Sequence, residues 1–384
     1  MKKSNFSLAR KLYYKSLENE IYLDKLISDQ LKFDDSNKYE LIRPQKSVEY
    51  LKRFGKRFLY FYKFLFLFWE FFNFLYQTRC LISVIFKKNS RIIKEDDIIL
   101  DLTPMLLPRL KNVKVNLPNT YISLQKNKSA FVEKSYTIYD FLNFKDIIKI
   151  YFYSIYLPFN YRNRIKKQEH ILQTYTSFEW LCVWFTLKKI NPNKIWYGNH
   201  CDRWAVLIDN INENNILIQH GIEDGSLNPP VKISNVKKAF LFNTDQKFYF
   251  DKFILDCDYE LNILPTSIDL IDLTETNKFS ILMIGNYAIY GDLEKEIIEK
   301  LNTLEVDIYL KPHPNQPIDY YDNMSMNLKF NLIKDKNFFP KVNLVLGYNS
   351  TLALEYSLAG VDVLFYENDK EVFYKKLFQK FYEN

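Results

Sequence analysis

The sequence predicts an α/β chain with two Rossmann-like domains, and three observations carry that prediction. Short β-rich runs alternate with helix-length segments from about Asp97 onward. Several runs, such as Val342–Leu346 and Phe279–Ile284, are too apolar to be half exposed, as strands buried on both faces of a parallel sheet must be. Each run stops at a cluster of Gly, Pro, Asn or His. That places polar residues at strand C-terminal ends, where open α/β sheets gather ligands.

Composition bounds the organisation. A chain of 384 residues, 47% hydrophobic and 17% aromatic, is folded and has material for two domains. Its net charge of +7 is uneven: residues 1–94 carry 20 Lys and Arg against 9 Asp and Glu, a net of +11, which leaves −4 for the remainder. The expected domains are a helical basic and aromatic region over 1–94, a first Rossmann-like domain over 95–230 and a second over 231–384.

Within the first region Lys52, Arg53, Lys56, Arg57 and Lys63 recur at near-helical spacing beside Phe58–Tyr62 and Phe64–Trp69. Such a segment is either a helix lying on an anionic membrane surface or a core helix with a solvated basic edge. It does not read as a span, because Lys63, Glu70, Asn73 and Arg79 interrupt every apolar window. The Met1-Lys2-Lys3 start has no apolar stretch of a secretory signal. Cys80, Cys182, Cys201 and Cys257 are widely spaced with no His at metal spacing, which predicts a reduced, cytoplasmic setting with no zinc site and no disulfide frame. No basic stripe with interleaved aromatics recurs in the body of the chain, so nucleic acid is not an expected partner.

The elements follow in order. Ile98–Leu100 and Tyr121–Leu124 read as strands, and roughly Ile138–Tyr156 and His170–Ile190 as helices, the second stopped by Asn191-Pro192-Asn193. Lys194–Tyr197 is the next strand, ended by Gly198-Asn199-His200, with Asp202 capping a helix that reaches about Ile211. Ile216–Ile218 then runs into Gln219-His220-Gly221-Ile222-Glu223-Asp224-Gly225-Ser226. Two glycines, adjacent acids and a His at a strand end disfavour folding. A carboxylate whose pKa a neighbouring acid raises suits a general base, so Glu223, Asp224 and His220 are candidates. The other reading is a polar turn with Asp224-Gly225 at its corner.

After Pro229-Pro230, Ala239–Asn243 reads as a strand, Gln246–Leu255 as a helix and Phe279–Ile284 as a strand ended by Gly285-Asn286-Tyr287. Gly285 alone makes no G-x-G-x-x-G fingerprint, so a dinucleotide oxidoreductase is not indicated. A helix over Asp292–Leu304 returns the chain to a strand at Val306–Leu310. There Lys311-Pro312-His313-Pro314 forms a rigid loop. Beyond the Val342–Leu346 strand, Gly347-Tyr348-Asn349 leads into Ser350-Thr351, which opens a helix closed by Gly360. Free N–H groups, two hydroxyls and the positive end of the helix dipole make that turn a ready phosphate site.

The order Glu223-Asp224-Gly225, then Lys311-Pro312-His313-Pro314, then Ser350-Thr351 resembles the motif trio of bacterial sialyltransferases: acidic-acidic-Gly, HP, and paired Ser/Thr. The resemblance covers roughly Lys194–Asp369. It implies a GT-B fold, a CMP-sugar donor held mainly by the second domain, a glycan or glycolipid acceptor, and an inverting, metal-independent transfer with no cofactor; the basic N-terminal region adds peripheral contact with the cytoplasmic face of the inner membrane as one expectation. By that resemblance Asp224 is the base and His313 meets the departing phosphate. Ser350 and Thr351 hold the same phosphate, with Lys311, Pro312, Asn349, Gly285 and Asn286 near the nucleotide. No D-x-D stands where a metal-dependent transferase would want one.

Two features depart from the pattern. Thr351 stands where the family often has a second Ser. Gln219-His220-Gly221 also resembles the teichoic-acid-type transferases that use CDP-glycerol or CDP-ribitol, in which His220 would be the base, and Kdo transferases fit the C-terminal motifs too. From another class, the chain fits a non-catalytic scaffold of surface-glycan assembly.

Overall fold

The computed structural model describes residues 3–30, 69–85, 97–103, 106–113, 115–124, 134–162, 176–223, 225, 228–273, 278–313, 318–348, 350–366 and 369–382. The basic segment at 52–68 lies outside them, as do Asp224, Pro314 and Asn349.

The chain is α/β, with two parallel sheets in two compact units: Met1–Pro108 with Lys114–Ile263, and Arg109–Val113 with Leu264–Asn384. The first sheet holds β1 (Asp97–Asp101), β2 (Thr120–Ser123), β3 (Lys134–Thr137), β4 (Lys194–Tyr197), β5 (Asn215–Ile218), β6 (Val236–Leu241) and β7 (Glu260–Ile263), in the order β3-β2-β1-β4-β5-β6-β7. The second holds β8 (Phe279–Gly285), β9 (Val306–Pro312), β10 (Asn331–Leu332), β11 (Leu344–Gly347) and β12 (Asp362–Phe365), in the order β10-β9-β8-β11-β12. In each sheet the chain begins centrally, steps outward to one edge, then returns past its first strand. Each therefore has a topological switch point, between β1 and β4 and between β8 and β11, where a ligand crevice forms outside the strand C-terminal ends.

Burial on both faces explains the apolar runs. In β8, Ile281 and Met283 pack with Ile297, Ile298 and Phe373 on one side, while Leu282 and Ile284 pack with Val345, Ala353 and Tyr356 on the other. The period of two sends alternate side chains to two separate cores, so neither set tolerates a polar residue. Gly285 ends the strand for a steric reason: a Cβ there would lie 2.5 Å from Tyr321 Oη. Tyr321 Oη donates to Glu294 at 2.8 Å, and Glu294 accepts the Asn286 N–H at 2.5 Å. This fully buried carboxylate, its pKa raised by burial, pins the turn that follows β8.

Three expectations change. The domain boundary expected at 230/231 falls at 263/264, because β6 and β7 continue the first sheet: Ile216 pairs with Lys238 and Lys238 with Glu260. Pro229-Pro230 is not a linker between units, since Ile233 just beyond it bonds Ile254 O and accepts from Asp256 N.

Nor do the N-terminal helices Lys3–Gln30 and Trp69–Ile85 form a region apart. Ala9, Leu12, Tyr13, Ser16, Leu17 and Glu20 make one buried face at helical spacing. Tyr13 packs edge-on against Trp180 at 5.3 Å, and Glu20 forms a buried ion pair with Arg203 just past β4. Among the described residues no helix is long and apolar enough to cross a membrane.

The third change is in helix bounds. The helix expected from Ile138 begins as a 3-10 turn, Ile138–Phe141, and the regular helix runs Phe144–Arg162. Gln246–Leu255 is instead a helix at Thr244–Tyr249 widening into a π turn at Phe250–Ile254.

Candidate functional site

Two groups of candidate side chains emerge, one at strand ends of each sheet. In the first unit, Gly198 follows the end of β4 and Gln219 the end of β5, neighbours because the strands pair in register from Ile195↔Asn215 to Tyr197↔Leu217. Asp202 caps the Arg203–Asp209 helix as expected, accepting from Trp204 N at 2.9 Å and Ala205 N at 3.2 Å. The cap closes a tight turn that directs His200 inward, and the N-terminal helix braces it from outside through Asn19 Nδ2, which donates to Cys201 O at 2.7 Å.

His200 is buried, and its Nε2 lies 2.6 Å from Glu223 Oε1, also buried. His220, half-buried, donates from Nδ1 to Gly198 O at 2.6 Å, and His200 Nδ1 lies 3.2 Å from the same carbonyl. The two imidazoles are tilted against each other with centroids 4.7 Å apart, and Phe250 closes the far side of His200 at 5.3 Å.

The loop from Gln219 to Glu223 is held by two buried amides. Gln219 Nε2 donates to Gly221 O at 2.8 Å and to Gln246 Oε1, while its Oε1 accepts from Phe242 N at 2.9 Å. Gln246 in turn accepts from Glu223 N and donates to Glu223 O, at 2.8 and 2.9 Å. Gly225 sits at φ +82, and a Cβ there would lie 2.9 Å from Phe253, so the glycine of the acidic motif is required twice over.

Burial opposes charge on His200, but the hydrogen bond and negative charge of Glu223 work against it, and the imidazole pKa is raised well above the usual range. The Cys201 thiol is pushed up, chiefly by burial. His200 Nε2, Cys201 Sγ and a Glu223 oxygen lie within 4.8 Å of one another, within reach of one small cation. The 2.6 Å contact, however, is a hydrogen bond, shorter than the ~3.3 Å between two ligands held tetrahedrally at ~2.0–2.2 Å. As they stand, His200 and Glu223 are joined by a hydrogen bond, with the Cys201 thiol beside them.

In the second unit β9, β8 and β11 are neighbours, and their ends bring together most of the candidates read from sequence. His313 N donates to Gly285 O at 2.9 Å, which extends the β8·β9 ladder by one bond and fixes the HP loop beside Asn286. Across the switch point, Ser350 caps the Thr351–Leu358 helix, its Oγ accepting from Ala353 N at 3.3 Å. His313, Ser350 and Thr351 are all partly exposed. Burial lowers the His313 pKa, so near neutrality its ring is an uncharged hydrogen-bonding group.

Lys311 plays another part. Its Nζ turns away into a buried position, donating to Asp335 O and Phe338 O at 2.7 and 2.9 Å and lying 4.7 Å over the Phe339 ring, with its pKa lowered by burial to about 8. It works as a strut for the loop between β10 and β11.

Sequence reasoning placed His200 at the end of β4 but gave it no specific role, because its partner Glu223 lies 23 residues away and meets it only through the fold. Tyr348, directly after the strand-ending Gly347, stacks on Tyr290 of the helix after β8 with ring centroids 5.5 Å apart. A groove of about 500 Å³ lined by Lys194, Trp196, Ile216, Lys238 and Phe240 lies on the face of the first sheet and includes none of the candidates.

No protein-family model matches the chain, and no curated protein matches it. A solved structure described as the adenylation, ketoreductase and pseudo Asub multidomain structure of a keto acid-selecting NRPS module is similar over 76% of this chain at 11% identity, with a TM-score of 0.17. The chain spans 25% of that structure's length. So slight a likeness assigns neither fold nor activity.

Proposed function

We propose that the chain is an inverting, metal-independent glycosyltransferase of GT-B type, which moves a sialic acid, a related nonulosonic acid or Kdo from a CMP-sugar to a hydroxyl of a surface glycan. The observation that carries this reading is the convergence of His313, Ser350 and Thr351 at the ends of β9, β8 and β11. A neutral imidazole, a hydroxyl that accepts from Ala353 N and keeps its own O–H to donate, and the first turn of a helix together suit a phosphate that gains charge as a bond breaks.

In the reaction the acceptor oxygen attacks the anomeric carbon of the donor, the bond from that carbon to the phosphate oxygen breaks, and CMP leaves with the electron pair. The acceptor proton passes to a base at the end of β5. Asp224 is that base by the motif resemblance. Glu223 is already committed to His200 and to Gln246, which makes it a supporting residue.

A second reading draws on His220. With Nδ1–H donated to Gly198 O, the ring lone pair is on Nε2, the form a general base needs. That supports a polyol-phosphate transferase using CDP-glycerol or CDP-ribitol. For either reading, the cysteine spacing supports a reduced, cytoplasmic setting, and contact with an anionic membrane surface is proposed for the basic segment at 52–68, which lies outside the described residues.

The test is thermal stabilisation of the purified protein by CMP, CDP, UDP and NADH with EDTA present, repeated on His313→Ala. A ligand at 100 times its Kd adds about 2.7 kcal/mol. Stabilisation by CMP that disappears in the variant sustains the first reading. Preference for CDP favours the second, and no nucleotide binding overturns both in favour of a scaffold.

A further inference from the structure

We propose that Glu223 and His200 form a buried carboxylate–imidazolium pair which, through the carbonyl of Gly198, fixes the ring orientation and tautomer of His220. The inference rests on reading the β4 and β5 ends as the place where the acceptor hydroxyl loses its proton.

Proton counting carries it. A carbonyl oxygen can only accept, so both ring nitrogens facing Gly198 O, His200 Nδ1 at 3.2 Å and His220 Nδ1 at 2.6 Å, bear hydrogens. The 2.6 Å contact between His200 Nε2 and Glu223 Oε1 needs one further proton. Imidazole is the stronger base by about two pH units in water, so that proton belongs to His200 and the ring carries a full charge. The other described ionisable groups about it are Cys201, a thiol, His220, and one step outward Asp202, which is taken up by Trp204 N, Ala205 N and Asn199.

Charge on a buried ring is tolerated because Glu223 itself cannot drift: Gln246 grips its backbone from both sides. The imidazolium is then a fixed donor to Gly198 O, leaving that carbonyl one lone pair, which His220 takes. His220 is thereby held in the Nδ1–H tautomer with its lone pair on Nε2, stacked against a ring that cannot turn. His200 and Glu223 are positioning residues in this arrangement, for neither is exposed to a substrate.

The chain has four histidines, so ¹⁵N-histidine labelling with long-range proton–nitrogen correlation reads each ring directly, with His→Gln variants for assignment. The expected spectrum shows His200 protonated on both nitrogens from pH 6 to 8, and His220 at pH 7.5 protonated on Nδ1 alone. In Glu223→Gln, which keeps the shape and can donate to Nε2, His200 is expected neutral at pH 7.5. In His200→Ala, the Nδ1–H signature of His220 is expected to blur into a tautomer mixture, with kcat for transfer down about 10- to 100-fold and KM little changed. His200→Gln, which restores a side-chain donor, should recover part of both.

A wild-type His200 with an unprotonated nitrogen at pH 7.5 overturns the proposal, whether the proton has gone to Glu223 or a stoichiometric metal ion has replaced it. An unchanged His220 tautomer in folded His200→Ala overturns it as well. The spectra are read without any donor sugar, so failure of the transferase reading leaves them standing and is recognised separately.

Discussion

At the ends of β4 and β5 the first unit buries ionisable groups against one another, with His200 on Glu223 and both imidazoles on one carbonyl. At the ends of β8, β9 and β11 the second unit keeps its charges away from the partly exposed edge. Glu294 pins a turn, Lys311 props a loop, and Glu355, on the buried face of the Thr351–Leu358 helix, pairs with Arg109. What faces outward there is neutral: an imidazole, a hydroxyl and a helix N-terminus. The first arrangement suits a proton in transit. The second suits an anion that must be held and released, and its charged residues serve the scaffold.

The largest expected effect tests that scaffold role. Glu355 accepts from Arg109, from Thr266 Oγ1 at 2.8 Å, and from Ser267 N and Oγ at 2.6 and 2.9 Å, so the segments around residues 109 and 266 meet on one helix. Burial lowers the Arg109 pKa to about 10 and yet leaves it charged at neutral pH. Glu355→Ala removes the buried carboxylate that Arg109, Thr266 and Ser267 share and should lower stability by about 3–5 kcal/mol in chemical denaturation. Replacing both partners, Arg109→Met with Glu355→Leu, should recover most of the loss. A single variant as stable as the wild type would mean that these charges are not structural and would break the contrast between the two edges.

Next in size is the base itself. A folded variant of the true base should lose on the order of 10²-fold or more in transfer rate. Asp224→Ala and His220→Ala compared side by side, each with its melting temperature, identify which one it is; wild-type rates in both would remove proton transfer from the β5 edge. Smaller again is the effect at Gly225. Its φ of +82 and its contact with Phe253 predict that Gly225→Ala destabilises by about 1–2 kcal/mol or more, and above all by more than Gly360→Ala, where φ is +83 but nothing lies within 4 Å of a new Cβ. Equal losses at the two glycines would show that Phe253 yields freely and that the acidic loop is looser than its hydrogen bonds imply.

Legibility in the sequence divides along the same line. The second sheet was readable because β8 and β11 are apolar runs, β9 is a short β-rich run, all three have unambiguous stops, and a cap such as Ser350 acts on residues next to it in the chain. The first sheet was only half readable. β6 and β7 carry exposed lysines and acids at their starts, and nothing local says that Lys238 pairs with Ile216 instead of opening a new domain. The buried face of the Lys3–Gln30 helix was present as spacing, Ala9 to Glu20, but its partners Trp180 and Arg203 are more than 160 residues away. His200 was seen only as punctuation after β4. Lys311 was read as a ligand residue because its spacing to His313 is clear, whereas the carbonyls that claim it come from a loop 24 and 27 residues later.

The smallest effect separates the two edges by sign. Burial sets the folded pKa of His313 below its ordinary value of about 6.5, so its contribution to stability is fully present above that pH and is lost as pH falls through the lowered folded value. Melting temperature should therefore drop more steeply on acidification in wild type than in His313→Gln. A bound phosphate reverses this, because an anion beside the ring favours its protonated form and raises the pKa. CMP binding should then take up protons between pH 5.5 and 6.5, measured as a difference in calorimetric enthalpy between buffers of unlike ionisation heat, and His313→Gln should abolish the difference. At the β4–β5 edge His200 is already charged, so no such uptake belongs to it. Proton uptake that survives in His313→Gln would therefore mean that the nucleotide phosphate is met by some group other than this neutral ring.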